Sequence, residues 1–197
     1  MKLLSRKAKK LPLSYFQSED TLGISRSLLG KFLVSRMGGK MTSGMITETE
    51  AYLGVQDQAS HAFGGRKTKR TQVMYLPGGH CYVYLCYGIH YLLNIVTHKE
   101  EEPHAILIRA IQPCEGIDLM LKRRHRKKMT PKLTTGPGTV CQALGITTKH
   151  SGEPLGKNIW IEDRGFKPTE IISGPRVGIA YAKEHALLPY RFQMLFS

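Results

Sequence analysis

Hydrophobic and polar positions alternate along this chain in short runs, which predict β-strands joined by tight turns. Glycines at Gly38-Gly39 and at Tyr87-Gly88 supply the turns of two hairpins. The predicted strands are residues 31–36, 42–52, 81–86, 90–96 and 105–111, with further strands around Val177 and Arg191. Three helices are predicted between them: Asp20 to about Leu29, residue 116 to about 127, and residues 137–144.

Most of these strands follow one another through short turns rather than through helical crossovers. That order predicts an α+β fold, in which a mainly antiparallel, curved β-sheet core is flanked by helices. The sequence contains no dinucleotide-binding or P-loop fingerprint, which argues against a doubly wound parallel sheet. A chain of 197 residues is expected to form a single domain, here residues 11–197, behind a basic tail at residues 1–10.

Charge changes this picture, because 29 Lys and Arg residues face only 15 Asp and Glu residues, a net charge of +14. Such an excess predicts a polyanionic partner, either nucleic acid or an anionic membrane surface. No run is long enough to span a membrane, and the apolar stretch after the basic start is too short for a signal peptide. The four cysteines form no C-x-x-C pair, so we expect reduced thiols in a cytoplasmic protein.

Acidic residues on one predicted strand suggest chemistry. Period-two alternation places Glu48, Glu50 and Tyr52 on one face. Arg109 interrupts the apolar run 105–111, and a buried arginine needs a carboxylate partner, for which Glu50 and Glu48 are the candidates. The alternative is that these are ordinary solvent-facing charges on an edge strand.

Three tyrosines form a second group. Tyr82 and Tyr84 share a strand face, whereas Tyr87 lies at the turn before Gly88. Aromatic rings can stack on nucleobases, and one at an exposed turn can wedge between bases. Strand tyrosines also commonly pack in a core, so the residues alone leave both interpretations open.

Basic segments could neutralise phosphates. Residues 64–70 form a polar loop that carries Arg66, Lys69 and Arg70, and residues 122–128 hold six cations, which could equally be a solvated helix end. Gly136 precedes a predicted helix, whose N-terminal N–H groups could bind a phosphate.

Several of these motifs together resemble the 3-methyladenine (alkyladenine) DNA glycosylase family. The matching order and spacing extend from about residue 13 to the end of the chain. The motifs are Glu48 to Gly54, Asp57 to His61, Gly64-Gly65-Arg66, Tyr82-Val83-Tyr84, Tyr87-Gly88, Asn94, Arg109, Gly136-Pro137 and Pro175 to Gly178.

The resemblance implies the catalytic roles. Glu50 matches the general base, while Arg109 and the carbonyl of Val177 match the groups that hold the attacking water. The expected reaction is hydrolysis of the N-glycosidic bond of a damaged purine, which leaves an abasic site. No lysine stands out as a Schiff-base nucleophile, so we expect no lyase activity, and we expect no cofactor and no metal.

The resemblance also implies a pocket for a flipped base. Tyr52 would stack on one face of the base, and His61 with Tyr84 on the other. The Ala59 carbonyl and the His61 N–H would read the purine edge, and Asn94 would crowd the amino group of guanine.

Further implied contacts concern the duplex. Tyr82 matches a supporting pocket residue, and Tyr87 matches the residue that fills the space left by the flipped base. The partner is then double-stranded DNA containing damaged purines, bound by a monomer. The protein would be nucleoid-associated in a bacterium or nuclear in a eukaryote. Thr139 and Gln72 depart from a lysine and an arginine found in some members, so the DNA footprint is expected to differ.

Two other functions stay open at this point. A metal-dependent nuclease could use Glu48, Glu50, Asp57 and His61, although their spacing matches no zinc motif. A non-catalytic module could bind damaged DNA through tyrosine stacking and basic loops. Chelator sensitivity would distinguish the nuclease, and indifference to Glu50→Gln would distinguish the binding module.

Overall fold

The computed structural model describes residues 8–196. Nine β-strands form one sheet in this part of the chain: β1 Lys9–Lys10, β2 Phe32–Met37, β3 Lys40–Leu53, β4 Cys81–Cys86, β5 His90–Thr97, β6 His104–Glu115, β7 Ile159–Asp163, β8 Glu170–Gly174 and β9 Arg191–Leu195. The strand order is β1-β7-β2-β3-β6-β5-β4, and β9 pairs with both β3 and β8. Every strand pairing is antiparallel, which confirms the predicted α+β class.

Three α-helices flank the sheet in the described residues: α1 Thr21–Ser27, α2 Ile117–Arg123 and α3 Pro137–Leu144. α3 has the predicted bounds, and Gly145 ends it in the left-handed conformation (φ 71°). Asp20 caps α1 as predicted, because its side chain accepts a hydrogen bond from the Gly23 N–H. Helix α1 ends at Ser27, two residues before its predicted end, and the predicted end of α2 near residue 127 was wrong, since that helix ends at Arg123.

Shorter turns of 3₁₀-helix connect the strands. They are Leu13–Gln17, Gly54–Gln56, Phe63–Gly65, Gln72–Tyr75, Pro131–Leu133, Thr148–His150 and Ala180–Leu187. The strand predicted around Val177 was wrong, because this residue lies in the loop between β8 and Ala180–Leu187. Residues 1–7 of the predicted basic tail lie outside the described residues, while Lys9–Lys10 pairs with β7.

The main core lies between the sheet and the helices. α3 packs on β5 and β6, and α1 packs on β3 and β6. Leu33, Ile106, Ile108 and Leu144 are among the fully buried side chains of this cluster. Burial of this apolar surface is the main stabilising term for the fold. No helix within residues 8–196 combines the length and apolar character needed to cross a membrane.

Strand β3 is long enough to pair with two strands, β2 and β9, along one edge. Residues 40–45 pair with β2, and Glu48 to Glu50 pair with β9, while β6 runs along the other edge. The pairing of β3 with β6 shifts register on either side of Glu48, and Arg109 has no paired partner there. Such bulges redirect side chains. Here they lie where the charged residues of both strands meet.

Candidate active site

A cavity of about 490 Å³ opens beside strands β3 to β6. Its volume lies within the usual range for small-molecule and cofactor sites. Most of the predicted site residues line it: the base-pocket residues Tyr52, Ala59, His61, Tyr82, Tyr84 and Asn94, the catalytic residues Arg109 and Val177, and the DNA-contacting residues Tyr87, Arg70 and Gly136. Glu50 is fully buried, in hydrogen-bond or ion-pair contact with three of these lining residues.

Glu50 is held by three groups. Its Oε1 accepts the backbone N–H of Val177 at 2.7 Å, and its Oε2 accepts the Tyr52 hydroxyl at 2.8 Å. Arg109 Nη1 lies 3.4 Å from Oε1. Burial raises the pKa of Glu50, and the Arg109 charge and the two hydrogen bonds oppose that rise. Burial and the nearby Glu50 charge raise the pKa of Tyr52 well above its usual value, so the phenol stays a donor.

Arg109 joins the two carboxylates that the sequence offered as its partners. Its Nε lies 3.0 Å from Glu48 Oε1, in addition to the contact with Glu50. Arg191 also reaches Glu48, at 3.2 Å. The predicted pairing of Arg109 with Glu50 or Glu48 is therefore present with both residues. Arg191 was missed, because its strand carried no signal for this site.

Aromatic rings form one wall of the cavity. The rings of His61 and Tyr84 lie edge to face, 4.7 Å apart, and His61 Nδ1 is 2.8 Å from the Tyr82 hydroxyl. Burial, aided by the charges of Arg70 and Arg66, lowers the pKa of His61 to about 4. The imidazole is therefore neutral at physiological pH.

The basic loop divides into two parts. Arg66 and Lys69 are exposed to solvent and do not line the cavity. Arg70 instead lies at the cavity mouth, 4.7 Å from the Tyr84 ring centre, and its Nη2 is 3.0 Å from His61 Nε2. The same nitrogen lies 3.3 Å from His61 Nδ1, so Arg70 contacts both ring nitrogens. This cation thus touches the predicted stacking pair.

Groups predicted to recognise the base are already hydrogen-bonded. The Ala59 carbonyl accepts the Tyr181 hydroxyl at 3.2 Å, and the Asn94 amide donates to the Tyr82 carbonyl at 3.2 Å. Tyr87 stands at the tip of the β4–β5 turn with 89% of its surface exposed and with φ at 49°. An aromatic residue that packs on so little of its own protein is available to a partner.

Asp57 and Arg176 form a buried bidentate ion pair beside this site. Asp57 is therefore committed to Arg176 rather than free to coordinate a metal ion. No group of three His, Cys, Asp or Glu side chains within residues 8–196 is arranged to hold a metal ion. The four residues of the nuclease alternative are not assembled as a ligand set.

Comparison with known proteins identifies similar chains. The family model for methylpurine-DNA glycosylase (MPG) matches residues 15–195. A Chlamydia felis protein named "Putative 3-methyladenine DNA glycosylase" is 48% identical over 184 residues, which cover 92% of this chain and 94% of that relative. Proteins of the same name from Desulfitobacterium hafniense and Bacillus licheniformis are 41% and 44% identical, and the matches cover 91% and 92% of this chain and 92% and 91% of those relatives.

Proposed function

This chain belongs to the methylpurine-DNA glycosylase family, and from that premise we propose that it is a monofunctional glycosylase of base excision repair. It flips alkylated, deaminated or etheno purines out of double-stranded DNA and hydrolyses the N-glycosidic bond. The product is an abasic site in an unbroken strand. The protein acts as a monomer, without a cofactor, and the basic surface supplies affinity for phosphates.

One observation carries this proposal: a buried carboxylate lies behind a cavity of purine-binding size, in contact with an arginine. In the proposed reaction, Glu50 accepts a proton from a water molecule that it shares with Arg109 and the Val177 carbonyl. The water attacks C1′ of the deoxyribose as the glycosidic bond breaks. The transition state resembles an oxocarbenium ion, and the negative carboxylate stabilises its positive charge.

A single carboxylate is enough to cleave the glycosidic bond when the leaving base is cationic. A purine alkylated at N3 or N7 already carries positive charge, so it departs without a general acid. Hypoxanthine and ethenoadenine are neutral and need protonation, most simply at N7. No side chain of the cavity is assigned as that acid, and His61 is a poor candidate because its pKa is lowered to about 4.

Reaching C1′ requires the nucleotide to leave the stack, which costs a few kcal/mol. Tyr87 is exposed on a turn beside the cavity mouth, and insertion of its ring into the vacated space would offset part of that cost. Within the cavity, Tyr52 would stack on one face of the base, and His61 with Tyr84 on the other. Gly136, Arg66 and Lys69 would contact the phosphates.

The test compares wild type with Glu50→Gln on duplexes that carry one hypoxanthine, one ethenoadenine or one 7-methylguanine. EDTA is present, and alkali reveals abasic sites in the hypoxanthine and ethenoadenine duplexes, while the 7-methylguanine duplex is scored by the free base released, because alkali itself breaks DNA at that lesion. We expect cleavage after alkali with wild type, none before alkali, and none with the variant, which still binds the duplex. Absence of abasic sites from every substrate would refute the proposal. In a parallel reaction without EDTA, nicking that requires a metal ion would support the nuclease, and binding without any cutting would support the damage-recognition module.

A further inference from the structure

The ion pair of Asp57 and Arg176 is the most deeply buried one in the described residues. The side chains are 2% and 0% exposed. Both terminal nitrogens of Arg176 donate to the Asp57 carboxylate, and Arg176 Nε is buried without a partner. Replacing such a pair by apolar side chains often leaves stability unchanged or improved. Stability alone is therefore a weak reason for its presence.

Both partners bind backbone groups at the end of β3, and each also binds a second segment. Asp57 accepts the N–H groups of Leu53 and Ala59, both at 3.0 Å. Arg176 donates to the carbonyls of Ala51 at 2.9 Å and His185 at 3.2 Å. The pair thereby joins the end of β3, the loop that leads to His61, and the loop that follows β8.

These segments carry the groups around Glu50. Val177, whose N–H donates to Glu50, is the residue directly after Arg176. The Arg176 guanidinium also lies over the Tyr52 ring, 4.8 Å from its centre, and the Tyr52 hydroxyl is the other hydrogen-bond donor to Glu50. A shift of Arg176 would displace both donors together.

We propose that Asp57 and Arg176 are a positioning pair, which holds Val177 and Tyr52 against the Glu50 carboxylate and aligns Ala59 with the base. Neither residue touches the reacting atoms. This inference rests on the proposed function for its catalytic consequence, but the alignment of Glu50 is a property of the free protein. The two can therefore fail separately.

The experiment uses Arg176→Lys, which keeps the charge and most of the volume but loses the two-pronged contact. In this variant we expect the Glu50 carboxylate to remain buried, whereas the Val177 N–H moves away from it. We expect the pKa of Glu50, measured by carbon-13 NMR titration of the free protein, to rise by about one unit. We expect kcat for base release to fall about 100-fold, the scale of a 1 Å misplacement.

Arg164→Lys is the matched control. Arg164 also contacts carboxylates, Glu162 through Nε and Nη2 and Glu115 through Nη2, and it does not line the cavity. Its replacement should lower Tm but leave the Glu50 titration and kcat unchanged. Asp57→Asn serves as the second variant if Arg176→Lys does not fold, and the same rise in the Glu50 pKa is expected.

A Glu50 titration and a kcat equal to those of wild type in a folded variant would overturn the inference, and any loss of Tm would then reflect a structural role only. If wild type releases no base, the proposed function falls. The NMR titration would still decide whether the pair positions Glu50.

Discussion

Removing the Arg109 charge should move the pH dependence of base release. In the proposed mechanism Glu50 must be ionised to accept a proton, so we expect activity to rise with pH through the pKa of Glu50. Arg109 is the largest influence that lowers this pKa against burial. In Arg109→Gln the pKa rises further, and the acid limb of kcat/KM moves to higher pH.

The size of the shift follows from the geometry. A unit charge at 3.4 Å contributes about 5 kcal/mol at an effective dielectric constant of about 20. Arg109 is 14% exposed and also serves Glu48 at 3.0 Å, so solvent and sharing reduce that value. Opposite charges at such distances typically shift a carboxyl pKa by about 1–3 units. We expect the acid limb to move within that range, and the plateau to fall because the variant loses a group that, in the proposed mechanism, holds the attacking water.

The assay is single-turnover release of hypoxanthine from a duplex between pH 5 and 9. Arg191→Gln is the matched control, because the Arg191 guanidinium contacts Glu48 at 3.2 Å, whereas Arg191 meets Glu50 through the backbone pairing of β9 with β3, which the substitution keeps. It removes the same charge and should leave the acid limb close to that of wild type. An unmoved limb in Arg109→Gln, or equal shifts in both variants, would refute the assignment of Arg109 as the cation that keeps Glu50 ionised.

Three further outcomes are expected. Tyr87→Ala should leave Tm nearly unchanged, because the side chain is 89% exposed. Base release from duplex DNA should fall more than base release from single-stranded DNA. Equal losses on the two substrates would contradict a role of Tyr87 in base flipping. Arg70→Gln removes a cation that contacts Tyr84 and His61, the predicted stacking pair, and that would repel a cationic base. Because solvent screens this repulsion, the ratio of the rates for cationic 7-methylguanine and neutral hypoxanthine should rise only about 2–5-fold. Lys69→Gln should leave this ratio unchanged. Burial lowers the pKa of His104 from 6.5 to about 4, so the stability that the neutral imidazole contributes above pH 6.5 should be lost as pH falls towards 4. Urea unfolding of His104→Asn should show a shallower loss of unfolding free energy over this pH range. An unaltered dependence of unfolding free energy on pH would contradict this role of His104.

Elements with a strong local signal could be predicted from the sequence. The hairpin strands β4 and β5 and helix α3 have alternating or capped patterns, and their observed bounds agree with prediction within a residue. Helix α2 was predicted too long because its basic end looks helical. Cations at residues 122–128 repel one another along a helix face, and the chain leaves the helix at Arg124, before His125 adopts a φ of 51°.

At the site, too, contacts between neighbouring strands could be predicted from the sequence, whereas contacts between distant loops could not. A buried charge without a partner is costly, so Arg109 within an apolar strand predicted an ion pair with Glu48 or Glu50 on the neighbouring strand, and both contacts are present. Asp57 and Arg176 are 119 residues apart, and both lie outside regular strands and α-helices. No periodicity marks such positions, because their burial follows from the folding of one loop over another. The strand pattern offered Glu48 and Glu50 as partners of Arg109 and the family resemblance chose Glu50 as the general base, whereas the pair that we propose positions Glu50 became visible only in three dimensions.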